Sequence, residues 1–299
     1  MGTSDGMKLS LHAQTAFTLI EMVVAMALGM LILGMAVSTT ISNRELYETD
    51  STRLKVNQNL RAALDFMGLN VREAGENLSA SFTAIEIIDG QAGPDELIIR
   101  RNLKDEVLKL CVDLAAGSTV QDVLFATSGT TPGCIYSDNT HNYSVWRDYR
   151  LQSEAQEVKA YIYDASSGLG EFFTYDSESD NGFELSIHRK DGSWANNYSS
   201  AATAIYILEE WRFRLNGDVL ELIENSDFSA PQGIVYGIED FQVSAIENDG
   251  TVKQAFGSND DWTALKAIRV TLLGDASYRG NSIARSATAE FFPRNILSN

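Results

Sequence analysis

The sequence predicts an α+β protein with one long N-terminal α-helix, membrane-spanning in its first half, packed on a mostly antiparallel β head. Three observations carry that expectation. Phe17 to Ile41 is an apolar run interrupted by a single charge, Glu21. Beyond it Val56, Leu60, Leu64, Met67 and Val71 recur at spacings of three and four, the stripe of a helix facing one surface. After Gly75 the texture changes to short period-two runs punctuated by Gly, Asn and Asp, as antiparallel sheet with one polar face requires.

The apolar run is roughly 25 residues, or about 37 Å of helix, against a hydrocarbon core of about 30 Å. A secretory signal peptide fits less well. The run exceeds the roughly 7–15 apolar residues of such signals, and its far end, Ser38-Thr39-Thr40-Ile41-Ser42-Asn43, has no small-x-small cleavage site. Residues 1–16 form a short polar leader in which Met1 and Met7 are both possible starts. Gly29 and Gly34 each weaken the apolar helix by roughly 1 kcal/mol relative to Ala. The amphipathic stripe extends it to Ala74, with Arg72 in the last turn and Gly75 as the stop. Residues 17–75 therefore read as one helix, with 17–41 in the membrane. An unpaired carboxylate inside a bilayer costs on the order of 2.5–3.5 kcal/mol, so Glu21 requires either a wet interface or a cationic partner.

Residues 76–299 read as one mostly-β head with insertions around 113–145 and 164–202. Phe183, Leu185 and Ile187 alternate with polar neighbours, as do Phe241, Val243 and Ala245, and again Ile268, Val270 and Leu272. Ile205, Ile207, Trp211, Phe213 and Leu215 share one parity, with Arg212 and Arg214 on the other. Asn216-Gly217 between such runs signals a type I′ hairpin.

Composition narrows the function. Among 299 residues, 23 Lys+Arg stand against 41 Asp+Glu, a net charge of −18. Such a surface repels phosphate backbones, so no nucleic-acid partner is expected. Arg100-Arg101 with Lys104, and Arg212 with Arg214, are the dense basic spots and read as solvated strand faces. Three histidines leave few groups for metal or general-base chemistry. His188 lies on the polar parity of its strand and His141 in a loop-like stretch. No nucleophile elbow, phosphate-binding Gly loop or metal-spaced His pair occurs, so no enzymatic activity and no cofactor are expected. Asp176, Glu178 and Asp180 are weak calcium candidates, because the following Gly182 is one place late and Ile187 stands where a loop of that type has Glu. Asn259-Asp260-Asp261 and Glu247-Asn248-Asp249-Gly250 read equally as solvated turns.

Ala16-Phe17-Thr18-Leu19-Ile20-Glu21, followed by the apolar run, resembles the class III signal of type IV pilins and type II secretion pseudopilins. The resemblance implies cleavage by a prepilin peptidase between Ala16 and Phe17, N-methylation of Phe17, and a role for Glu21 in meeting the N-terminal amine of an adjacent subunit. The two charges attract strongly in low dielectric, each removing the other's burial penalty. Ala16 departs from the family's usual Gly, but it is the least intrusive replacement, so processing is expected to survive at a reduced rate. Gly233-Ile234-Val235-Tyr236-Gly237-Ile238-Glu239-Asp240-Phe241-Gln242-Val243, then Trp262 and Ala267 to Leu273, with Asn70 to Gly75 at the helix end, is similar to PilW-type minor pilins, relatives of the J-type minor pseudopilin. That likeness implies an inner-membrane single-pass protein with a periplasmic head. It would later join the extracellular, tip-proximal pilus with other minor pilins, the major pilin and a tip adhesin as partners. In an exported head a Cys111–Cys134 disulfide is expected, worth roughly 3.5 kcal/mol by loop entropy, with two buried thiols as the alternative. The competing functions are a minor pseudopilin of a type II secretion system and a membrane-tethered ligand- or calcium-binding module.

Overall fold

Helix α1 (Leu19–Glu73) runs without a break through both the apolar and the amphipathic stretches. The computed structural model describes residues 18–80, 82–278 and 281–295. The chain divides at Thr52/Arg53 into two units. In the first unit α1 is solvent-facing, with an Arg44–Glu48 pair one turn apart at 3.1 Å. In the second unit the expected stripe is the buried one. Val56, Leu60, Leu64, Met67 and Val71 all enter the core, joined by Ala63. Gly68 completes that face because a Cβ there would stand 2.3 Å from the Phe291 ring. The helix stops one residue before the expected Ala74, and Gly75 follows with φ +80°. Its N–H donates to the Arg100 carbonyl at 2.9 Å, tying the helix exit to the sheet.

The chain then forms β1 (Ile85–Ile88), β2 (Glu96–Asn102), β3 (Leu108–Lys109), β4 (Asp122–Ala126), helix α2 (Tyr136–Gln152), β5 (Val158–Asp164), β6 (Leu169–Asp180) and β7 (Leu185–Arg189). There follow β8 (Thr203–Tyr206), β9 (Leu208–Asn216), β10 (Val219–Glu224), β11 (Gln232–Tyr236), β12 (Ile238–Glu247), β13 (Val252–Lys253), a 3-10 turn (Trp262–Ala264), β14 (Leu265–Tyr278) and β15 (Asn281–Phe291). They assemble into a five-stranded sheet β1-β2-β9-β10-β11, a four-stranded sheet β13-β12-β14-β15 and a six-stranded sheet β3-β8-β5-β6-β7-β4. All strand pairings between named strands are antiparallel, as the period-two pattern predicts.

Two apolar cores result. The first lies among the buried part of α1 and the five- and four-stranded sheets, around Met67, Phe213, Phe241 and Trp262. The second lies under the six-stranded sheet and α2, around Trp146, Tyr175 and Trp194. The stretches read as insertions, 113–145 and 164–202, contribute much of this second core. They supply β4, much of α2, and β6 and β7 of a second sheet. Helix α2 was not anticipated, because its sequence is polar nearly all round and buries only Asn139, Trp146 and Arg150. Trp146 anchors it, its ring buried and its Nε1–H donating to the Glu106 carbonyl at 2.7 Å. His141 therefore lies on a helix, exposed and 3.4 Å from Glu106, rather than in a loop.

Two further local readings change. The single parity from Ile205 to Leu215 breaks at Ile207, where the chain leaves the six-stranded sheet and enters the five-stranded one; Ile207 and Leu208 are both buried as a result. The β9–β10 hairpin has Gly217 and Asp218 as its central pair, since Asn216 and Val219 are register partners. Only Gly217 takes a positive φ, 63°. That fits a type II′ turn rather than type I′, and Asn216 instead donates from Nδ2 to Glu221 Oε1 at 2.9 Å.

Candidate assembly site

The start of α1 is a reciprocal cap. The Thr18 N–H and the Thr18 hydroxyl each donate to Glu21 Oε2 at 2.9 Å, and the Glu21 N–H donates back to Thr18 Oγ1 at 3.3 Å. Thr18-Leu19-Ile20-Glu21 is thus a capping box, which satisfies donors that a helix start leaves free. The sequence holds this signal, a Thr three residues before a Glu ahead of an apolar run, whereas the reading from composition offers Glu21 only a wet interface or a cationic partner. Thr18 is the residue that reasoning missed. Ala16 and Phe17, and the leader 1–16 as a whole, lie outside the described residues.

From Leu19 to Ile41 every residue is exposed apart from the half-buried Gly29. The mean hydropathy of an 18-residue window here is 2.3, none of that window being buried. An apolar face of this size is not stable in water and marks a membrane or protein contact. The polar atoms at its far end are already satisfied within the helix, because the Thr39 and Thr40 hydroxyls donate to the Met35 and Ala36 carbonyls at 2.9 and 2.8 Å. Such internal bonding is what a lipid or packed-helix environment demands. Outside the adjoining helix backbone, no atom among the described residues lies within 4 Å of a Cβ built at Gly29 or Gly34.

The basic spots of the head are not free solvated faces. Arg100 is buried between Glu210 (2.7 Å) and Glu86 (2.9 Å). Burial by itself would lower its pKa, but the two carboxylates more than reverse that and raise it. Arg101 pairs with Glu209 at 2.6 Å and also with Glu73, while Arg212 pairs with Glu96 at 2.7 Å and Arg214 with Glu221 at 3.1 Å. The Lys104 ammonium sits 4.9 Å above the Tyr149 ring. Cross-strand ion pairs thus consume the positive charge that the sequence left open.

Asp176, Glu178 and Asp180 lie on strand β6 rather than in a metal loop, and each carboxylate has another partner. Asp176 Oδ1 is 2.7 Å from His188 Nδ1. Glu178 accepts from Arg150 Nε and Nη2, both at 2.8 Å, and from the Tyr175 hydroxyl at 2.7 Å. Burial raises the Glu178 pKa, but Arg150 and Tyr175 outweigh it and hold the carboxyl below its ordinary range. Asp180 accepts from the Tyr136 hydroxyl at 2.9 Å and the Gly182 N–H at 2.8 Å. Among the described residues no group of three or more His, Cys, Asp or Glu is placed to hold a metal ion. Of the other acidic turns, Asp260 accepts from Lys253 Nζ at 2.7 Å and Asp249 from the Thr251 N–H at 2.8 Å. The Cys111 and Cys134 sulfurs are bonded, with Cα atoms 5.8 Å apart. The bond fastens the chain just after β3 to the segment leading into α2.

Residues 11–37 match the family model described as the prokaryotic N-terminal methylation motif, which covers residues 11–16 ahead of the apolar run, Glu21 and most of that run. No curated protein matches the chain. Among solved structures the chain is similar to a type IV-like pilin from Thermus thermophilus, at 11% identity and a TM-score of 0.38, over 81% of this chain and 97% of that one.

Proposed function

We propose that this chain is a pilin-type assembly subunit, and more narrowly a PilW-like minor pilin that takes part in type IV pilus assembly in a tip or priming complex. The observation that carries this reading is the methylation motif at residues 11–37, whose part from Leu19 onward lies on α1, with the most apolar window of that helix left uncovered among the described residues. Prepilin peptidase removes residues 1–16 and methylates the amine of Phe17. The segment 17–41 holds the protein in the inner membrane with its head in the periplasm, and later packs among the helices of neighbouring subunits, minor and major pilins alike.

Glu21 has two successive roles in this scheme. In the separate subunit, Thr18 satisfies it at the helix start, which lowers the cost of holding a carboxylate in an apolar setting. In the filament the methylated amine of an adjacent subunit offers a full positive charge, a stronger partner than a hydroxyl in low dielectric. Intact mass measurement on protein from native membranes is the test. A mature chain beginning at methylated Phe17 is expected, and a retained leader would exclude the processing step. Glu21→Ala should insert normally yet co-purify less with other pilins, and unchanged co-purification would remove Glu21 from the assembly contact.

A further inference from the structure

Apart from the N-terminal helix, one feature left unexplained is a cleft of about 580 Å³ where the six-stranded and five-stranded sheets meet, a volume within the usual range of small-ligand sites. One wall is aromatic. The Tyr161 and Phe172 rings meet edge-to-face with centroids 4.7 Å apart, and Phe82 braces Tyr161 from behind at 6.0 Å. Gly170 fixes the wall, because a Cβ there would come within 2.5 Å of the Tyr161 ring, which therefore lies against the β6 backbone. A ring held this way loses little freedom when a ligand stacks on it.

The opposite wall is the turn after β10. Asn225 and Ser226 both take left-handed φ, 49° and 58°, a conformation costly for two successive non-Gly residues. Glu210 holds them there. Its N–H donates to Asn225 Oδ1 at 2.8 Å and its carboxylate accepts the Ser226 hydroxyl at 2.6 Å. The turn carries Asp227 to the rim, across from Lys159. Arg212 also lines the cleft.

Charge then selects the ligand class. Arg100, Lys159 and Arg212 stand against Glu171, Glu210 and Asp227 in the lining, so the formal charges cancel and the cleft has no preference for an anion or a cation. The −18 net charge of the chain further disfavours an anion. What the cleft offers is donors and acceptors side by side, next to ring faces whose negative quadrupole attracts polarised C–H groups. We propose that this cleft binds a neutral saccharide. Its C–H face lies on Tyr161 and Phe172, and its hydroxyls bond Asp227 and Lys159. This activity is separate from assembly, so a chain that fails the mass test above could still bind sugar.

The test uses the full chain in lipid nanodiscs free of glycolipid and of sugar-headed detergent, with lactose and cellobiose as probes in saturation-transfer NMR. Transfer to ring C–H protons is expected, with affinity reduced at least tenfold in Phe172→Ala and several-fold in Asp227→Ala. Asp227 lies in an exposed turn, so this variant decides the matter even if Phe172→Ala proves unstable. No transfer from either disaccharide, or undiminished transfer in Asp227→Ala, overturns the proposal. Tighter binding of sialyllactose or inorganic phosphate than of lactose overturns the neutral assignment.

Discussion

Replacing Gly75 by Ala tests how the helix exit is locked to the β head. Two separate penalties are expected. The native φ of +80° is left-handed, which costs a residue bearing a Cβ about 1–2 kcal/mol. The new methyl would also stand 2.5 and 2.6 Å from two atoms of the Trp262 six-membered ring. That ring cannot swing away freely, because it is buried and its Nε1–H donates to the Ala80 carbonyl at 3.1 Å. Forced overpacking of this kind costs about 1–3 kcal/mol, giving a total of about 2–5 kcal/mol. At about 3 °C per kcal/mol for a unit the size of residues 53–299, the melting midpoint should fall by about 6–15 °C. Thermal unfolding of the full chain, followed by tryptophan fluorescence, measures it. In a Trp262→Ala background the same change should cost only its backbone part, about 1–2 kcal/mol. A shift below 1 °C from Gly75→Ala would refute both penalties, and an equal shift in the two backgrounds would refute the steric one.

Three other outcomes follow from the same structure. Cys134→Ser should lower stability by about 3.5 kcal/mol, the loop-entropy value for a separation of 23 residues, and reductant should then no longer shift the melting curve. Asp164 should make the head acid-sensitive. Burial raises its pKa, but bonds from the Ser166 hydroxyl and from the Ser199, Ser167 and Ser166 N–H groups more than reverse this and hold the carboxyl well below the usual range. A depressed folded-state pKa gives stability that is full above the unfolded value near 3.9 and is lost as pH falls toward the folded one. Asp164→Asn should therefore flatten the dependence of the melting midpoint on pH below about 4, and an unchanged slope would discount this site. Arg100→Ala, which strands the buried Glu210 carboxylate, should cost about 3–5 kcal/mol, whereas Arg269→Ala, which breaks an exposed pair with Glu290, should cost less than about 1 kcal/mol; similar losses from the two would contradict the burial argument.

The elements legible in the sequence are those set by a single strong period. The stripe from Val56 to Val71 predicted which face of α1 is buried, because helical spacing and burial were the same signal there. The alternation through Phe241 and Ile268 likewise marked β12 and β14. Helix α2 was invisible because its stability comes from two long-range anchors, Trp146 with Glu106 and Arg150 with Glu178, and not from any apolar stripe. Charge pairing was equally hidden. Arg100 and Glu210 are 110 residues apart in sequence, so a local reading left Arg100 on a solvated face. At the candidate site, the apolar run and Glu21 were evident from composition, while the Thr18 cap required asking where the first backbone N–H groups of the helix find their acceptors.

The direct passage from β8 to β9 through the single residue Ile207 bears on how the head unfolds. Two separate cores, the first the larger, would otherwise be free to melt one after the other. Here the register of Ile205 against Ile162 in one sheet is tied by three residues of backbone to that of Leu208 against Asn102 in the other. A one-residue slip in either sheet would turn the neighbouring strand's apolar side chains toward solvent. Neither sheet can loosen here without disturbing its neighbour, so the two should melt as one cooperative transition.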